Sequence, residues 1–301
     1  MGLYSLPEHI VEWLNSQIAN AEDLIVSECS CRFLRKIANQ MKEHSLKRLG
    51  LLGLNWEVQN IDMGRVICYA IQKDKQEAIY PLLVLRAEVN NCACLAHPPL
   101  FLESGKKNAD KKTIDMLLAA NAQVNMPTTG NGYTALMSST QHDNAGIVKV
   151  LIRAKADANA EDQHGWSALI WAIWAMSKQV DKKGETVMLL VNSQAEINHQ
   201  EHKGRTALMK AAEWNNSWAI ELLLENGGDV NLISNRGHTA LMFACFNTTS
   251  SAIVEKLIKA KSDINAKNQQ DTTPLDFVKY REPTDCAHKL VKILLDAGAQ
   301  C

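Results

Sequence analysis

Seven tetrapeptides of one pattern, RVIC at 65, PPLF at 98, TALM at 134, SALI at 167, TALM at 206, TALM at 239 and TPLD at 273, recur at separations of 33, 36, 33, 39, 33 and 34 residues. A short unit repeated at a near-constant period cannot bury its apolar face alone, so copies stack on one another into a linear array. Within each unit the apolar residues fall in two bursts at helical spacing, as in TALMKAAEW and SWAIELLLENG of the fifth, which predicts two short helices. Thr206 is placed to cap the first of these, and Gly227 with Gly228 to end the second. A finger of the DVN type then leads to the next unit. Asn90, Asn125, Asn159, Asn198, Asn231 and Asn265 hold the same place in each finger, where a short amide is expected to bond local backbone in a tight turn.

A period near 33 that opens on Thr-x-Leu resembles the ankyrin repeat, over about residues 62 to 301. The resemblance implies an all-α solenoid of seven repeats. The first is degenerate at Arg65, Val66 and Cys68, yet in register at Leu82, Leu83, Ala87 and Asn90. It also implies that the finger asparagines are of a type open to hydroxylation. Three units exceed the period, and the excess falls between their two helices: SGKKNADKK at 104–112, AMSKQVDKKGE at 175–185 and REPTDC at 281–286. These read as surface loops, since lengthening a loop there costs little closure entropy. Extra binding elements are the alternative.

In ankyrin proteins the finger residue before the Thr, and the end of the first helix, line the concave face that contacts the partner. Carried over residue by residue, this selects Tyr133, Trp166, Arg205 and His238 in the fingers, and His142, Trp174, Trp214 and Phe246 at the helix ends. Aromatic and Arg side chains are those enriched in binding hot spots. Trp171, one turn earlier in its unit, is expected to be core.

Residues 1–41 do not repeat. Ser5 and Glu8 form a capping box with Pro7 in the first turn, and three apolar bursts follow: Ile10, Val11, Leu14 and Ile18; then Leu24 to Cys29; then Cys31, Phe33, Leu34 and Ile37. The order Leu6-Pro7-Glu8, Asp23-Leu24-Ile25, Cys31-Arg32-Phe33, Ile37-Ala38 resembles the F-box, with Ser30 where that family has Val and no counterpart of its late Trp. The resemblance implies a three-helix domain docked on the Skp-type adaptor of a cullin–RING ubiquitin ligase through Leu6, Pro7, Ile10, Leu14, Leu24, Cys31 and Phe33. Residues 42–61 read as a connector helix. The alternative is a plain helical cap on the first repeat.

Lys+Arg 32 against Asp+Glu 33 gives a net charge of −1, so nucleic acid is not the expected partner, and no apolar run approaches the roughly 20 residues of a membrane span. The start MGLYSL carries no secretory or myristoylation signal and Cys301 does not fit a prenylation site, so the eight scattered cysteines are expected as reduced thiols in a cytosol. No phosphate loop, His-Glu-x-x-His or Gly-x-Ser-x-Gly occurs. Cys92, Cys94 and His97 are three ligands where zinc needs four, so neither metal nor cofactor is expected. The reading is a monomeric, non-catalytic substrate-recognition subunit of an SCF-type ligase, its architecture resembling effectors that intracellular bacteria place in host cytosol. An ankyrin-only interaction scaffold is the alternative.

Overall fold

The computed structural model describes residues 63–84, 89–90, 97–178, 184–247, 251–280 and 285–300. The F-box-like segment at 1–41 and the connector at 42–61 lie outside these residues, with every adaptor contact expected there. So do Cys92, Cys94 and the insertion stretches 179–183 and 281–284. The chain divides into compact units at 1–95 and 96–301. All regular elements among the described residues are helical.

In the first unit α1 (Met63–Gln72) packs on α2 (Gln76–Val84). Between them Asp74 takes the left-handed conformation, φ 55°, and the Lys75 N–H donates to the Ala70 carbonyl at 2.9 Å. Ile67, Cys68, Ile71 and Ile79 are sealed from solvent. The degenerate copy is thus a helical pair, with α1 opening at Met63, ahead of its tetrapeptide.

The second unit holds six pairs: α3 (Pro99–Ser104) with α4 (Lys111–Ala119), α5 (Ala135–Gln141) with α6 (Ala145–Arg153), α7 (Ala168–Ser177) with α8 (Glu185–Asn192), α9 (Ala207–Glu213) with α10 (Ser217–Glu225), α11 (Ala240–Asn247) with α12 (Ser251–Lys259), and α13 (Pro274–Lys279) with α14 (Asp285–Asp296). First helices pack on first helices from α3 through α13. The first helix α7, ALIWAIWAMS, is apolar all round: it lies between α5 and α9 and against α8, and its remaining side carries the half-exposed Trp174. The Leu of each tetrapeptide, Leu136, Leu169, Leu208, Leu241 and Leu275, is buried, each worth about 2 kcal/mol of transfer free energy.

Capping follows the expected chemistry. The hydroxyls of Thr134, Thr206 and Thr239 accept the N–H three residues on, at 3.2–3.3 Å. Thr273 does the same within a reciprocal box with Asp276. That box holds the Asp276 carboxyl below its ordinary pKa, chiefly through the Thr273 backbone N–H. A depressed carboxyl contributes stability above its unfolded pKa that is lost as pH falls through its folded value.

Each second helix of the second unit ends on a left-handed residue, Asn121, Lys155, Gln194, Gly227, Lys261 or Gly298. The next N–H returns to a buried Leu carbonyl five residues back, as from Ala156 to Leu151 at 2.9 Å and from Gly228 to Leu223 at 2.8 Å. Gly227 therefore closes its helix as expected, but Lys155 and Lys261 hold the same conformation at φ 64° and 65° against the Cβ penalty. Lys155→Gly and Lys261→Gly are each expected to raise the unfolding free energy by about 1 kcal/mol, read as a rise in the urea midpoint. Lys149→Gly, inside α6, should lower it by a similar amount.

The finger asparagines reach further than a local turn. Asn125 accepts from the Asp157 N–H, Asn159 from Glu196, Asn198 from Asp229, Asn231 from Asp263 and Asn265 from Gln300, each at 2.8 Å. Asn198 also donates to the Gly227 carbonyl at 3.0 Å. These amides bond the next repeat, and so form a ladder across repeat boundaries.

The insertions are shorter than their sequences suggested, because helices absorb their ends. Ser104 belongs to α3 and Lys111 opens α4, which leaves 105–110 between them. That loop is tied down by buried Glu103, which accepts the Asp110 N–H at 2.7 Å and pairs with Lys106 at 2.8 Å, while Asp110 caps α4. Likewise α7 runs to Ser177 and α8 starts at Glu185, and α14 takes in Asp285 and Cys286.

Candidate functional site

The fingers of the second unit end in hairpins that precede each first helix. One strand-like N–H closes each: Thr128 donates to Tyr133, Asp162 to Trp166, Glu201 to Arg205, Ser234 to His238 and Asn268 to Thr272. The residue two before the N-cap must be left-handed; it is Gly132, Gly165, Gly204 and Gly237, then Asp271 at φ 56°. Successive hairpins are hydrogen-bonded to each other, Gln163 to Asn131, His202 to His164, Asn235 to Lys203 and Gln269 to Arg236, at 2.9–3.2 Å. Their orientation fixes where the residue before each N-cap stands.

On this frame Tyr133, Trp166, Trp174 and Trp214 converge, joined by Trp171. The Trp171 ring lies 5.3 Å from Tyr133, 4.9 Å from Trp166 and 5.5 Å from Trp174, and Trp166 lies 5.9 Å from Trp214. Trp171 is 9% exposed, core as expected, and it is also the floor of this cluster. Its indole N–H donates to the Asp162 carboxylate at 3.0 Å, whose other oxygen accepts from the N–H groups of His164 and Trp166. One carboxylate thus sets both the hairpin and the buried ring.

A second group gathers Arg205, His238 and Phe246 around Phe243 and Phe277. His238 meets both rings edge-on at 5.5 Å, Arg205 stands over Phe243 at 5.3 Å, and Phe246 lies 6.1 Å from Phe277. Phe246 is 56% exposed. Burial, then the charges of Arg236 and Arg205, lowers the His238 pKa; burial, then Asp162, raises that of Tyr133.

Lys210 connects the two groups. Its ammonium lies 5.0 Å from the Trp166 ring and 5.2 Å from Trp214, 3.3 Å from Glu213, and the side chain is nearly buried. Arg205 grips the same Glu213 with two hydrogen bonds, 3.0 and 2.8 Å. Burial pulls the Lys210 ammonium below its ordinary pKa, and Glu213 opposes this. A cation between two π faces is worth about 1–2 kcal/mol when desolvated.

His142 stands apart: it is exposed, with Nδ1 3.0 Å from the Ser138 carbonyl. The expected helix-end set mixes two registers, since Trp174 and Phe246 lie seven residues after their N-cap and His142 and Trp214 lie eight. Four residues after the N-cap stand Trp171, which the sequence placed in the core, and Lys210, Phe243 and Phe277, which sequence reading passed over. Tyr280, in the seven-residue register, was passed over as well and is 81% exposed.

Among the described residues no group of three His, Cys, Asp or Glu side chains is arranged to hold a metal, and no helix is long and apolar enough to cross a membrane. His97 stacks on Phe101 at 5.1 Å.

A stack of helical pairs with outward hairpins and an aromatic face defines a repeat protein built for binding another protein. The family model described as "Ankyrin repeats (3 copies)" matches residues 100–182 and 175–268. The chain belongs to the ankyrin-repeat family, whose repeats are non-catalytic protein-interaction modules. Over 178 residues it is 29% identical to Neurogenic locus notch homolog protein 1 of Mus musculus and of Homo sapiens, a match covering 58% of this chain and 7% of either relative. Over 149 residues it is 29% identical to Putative ankyrin repeat protein FPV031 of Fowlpox virus (strain NVSL), covering 47% of this chain and 42% of that protein. The chain therefore spans under half the length of these curated relatives.

Proposed function

We propose that this chain is the substrate-recognition subunit of an SCF-type cullin–RING ubiquitin ligase. Residues 1–41 dock the Skp-type adaptor and the array at 62–301 holds the target through its hairpin and first-helix face. The observation that carries the target-binding half is the connected row of rings, Tyr133, Trp166, Trp174 and Trp214, half-buried on a hydrogen-bonded hairpin frame. Such a row is costly in water unless a partner covers it. The adaptor half rests on the F-box-like order of Leu6, Pro7 and Glu8, Asp23 to Ile25 and Cys31 to Phe33. The chain itself performs no chemistry: fixing a target lysine beside the charged ubiquitin carrier raises its effective concentration. The F-box and ankyrin pairing supports action in a host-cell cytosol as a bacterial effector.

The second reading, an ankyrin scaffold with an N-terminal cap, draws on the family-model match, which lies on the repeats at 100–182 and 175–268. Co-precipitation from lysate separates the two. Wild type is expected to capture the Skp-type adaptor and cullin, and Leu6→Ala with Pro7→Ala to lose at least about tenfold of that capture, the loss expected of two central apolar anchors. Absence of capture by wild type leaves the scaffold reading. Trp174→Ala with Trp214→Ala is expected to abolish target capture while sparing the adaptor; unchanged target binding would refute the aromatic face.

A further inference from the structure

The target-binding face has a charge character that its aromatic row conceals. Counted from each N-cap residue, Thr134, Ser167, Thr206, Thr239 and Thr273, four positions build this face: the hairpin tip three before, the residue one before, and those four and seven after, with Trp214 one residue beyond the last of them. Over the five repeats the cationic Lys and Arg side chains at those positions are Lys203, Arg205, Lys210 and Arg236, and the one carboxylate is Glu213. Glu213 is already held by Arg205 and Lys210. Of the carboxylates elsewhere on the hairpins, Asp162 and Glu201 are 5% and 4% exposed, while the exposed Asp271 lies 3.9 Å from Lys267 and Glu161 lies 3.7 Å from His199. The chain as a whole carries −1, so this excess of cations is a local property of the face.

Lys210 adds selectivity. Its ammonium already lies over both Trp166 and Trp214, where a partner's cation would sit, so a lysine presented from outside meets an occupied aromatic pair and a like charge. Lys203 and Arg236 are exposed at consecutive hairpin tips whose backbones are joined by the Asn235 N–H to the Lys203 carbonyl at 2.9 Å, so the two cations project from neighbouring tips.

We propose that the segment seated on this face is acidic: a stretch of the target protein in which Asp or Glu alternates with large apolar side chains. The acids meet Lys203 and Arg236, and the apolar groups cover Trp166, Trp174 and Trp214. This rests on the reading of the face as the target-binding surface.

Three labelled peptides of about 12 residues test it by fluorescence anisotropy against the full chain: Glu-Glu-Leu-Phe three times over, and the same with Gln or with Lys in place of Glu. The Glu peptide is expected to bind at least about tenfold tighter than the Gln peptide, and to weaken as salt rises. The Lys peptide should show the weakest binding. Lys203→Glu with Arg236→Glu, both at exposed tips and so compatible with folding, should remove the preference. Equal binding of the three peptides, binding of none, preference for the Lys peptide, or an unchanged preference in the charge-reversed variant overturns the proposal. If Trp174→Ala with Trp214→Ala abolishes target capture while the peptides show no acid preference, the docking surface stands and this inference alone fails. If target capture also ignores the face, both fail.

Discussion

Asp162→Ala is expected to lower the unfolding free energy by about 4 kcal/mol, the largest loss from any single polar side chain on the hairpin and first-helix face. The carboxylate satisfies three donors at once: the His164 N–H at 2.7 Å, the Trp166 N–H at 2.9 Å and the Trp171 indole N–H at 3.0 Å. Each buried donor left without an acceptor costs about 1–3 kcal/mol, and the indole, 9% exposed under three other rings, has little access to water as a replacement. Asp162→Asn makes the sharper comparison. Its carbonyl oxygen can keep the two backbone donors, but its NH2 then faces the indole N–H donor to donor, so about half the loss is expected. Urea unfolding followed by Trp fluorescence measures both. An Asn variant as damaged as the Ala variant would show that the acceptor count is not what matters. Because stability in such an array is a sum of repeat and interface contributions, the Ala variant should also separate the transition into two steps.

Gly204→Ala is expected to cost about 3 kcal/mol, on two independent grounds. Its φ of +73° is strained for any residue with a Cβ, worth about 1 kcal/mol. The added Cβ would stand 2.6 Å from the Asn235 backbone N and 3.1 Å from the Ser234 carbonyl carbon. Neither atom can retreat, since the Asn235 N–H is bonded to the Lys203 carbonyl and its side chain donates to the His202 carbonyl, both at 2.9 Å. Gly130→Ala separates the two causes: φ is +92° but nothing lies within 4 Å of the new Cβ, so only the conformational cost of about 1 kcal/mol should appear. Equal losses in the two variants would mean that the hairpins yield to one another.

How much of this was legible beforehand follows from the range of each interaction. The Thr206 cap spans three residues, so its chemistry could be read where it stood, and the helical bursts follow the same local rule. The equivalence of the finger asparagines was visible, but their partners lie 31 to 37 residues on, and a repeat pattern does not say which amide bonds which backbone. Asp162 gave no signal because the equivalent hairpin positions hold Thr128, Glu201, Ser234 and Asn268, any of which suits a turn; its importance comes from the one indole that reaches it. Lys210 was hidden for the opposite reason. Its neighbours in register are Trp171, Phe243 and Phe277, so a search for aromatic anchors passed over the cation that lies over Trp166 and Trp214.

The hydrogen bonds that pass from hairpin to hairpin have a thermodynamic consequence for recognition. A surface made of separate loops loses conformational freedom when a partner immobilises them, a loss that detracts from affinity. Here the backbone N–H groups of Gln163, His202, Asn235 and Gln269 are each already fixed to the preceding tip. The entropy of ordering these tips is given up during folding of the free protein, so a docking segment meets a rigid edge and its apolar and ionic contacts count almost in full.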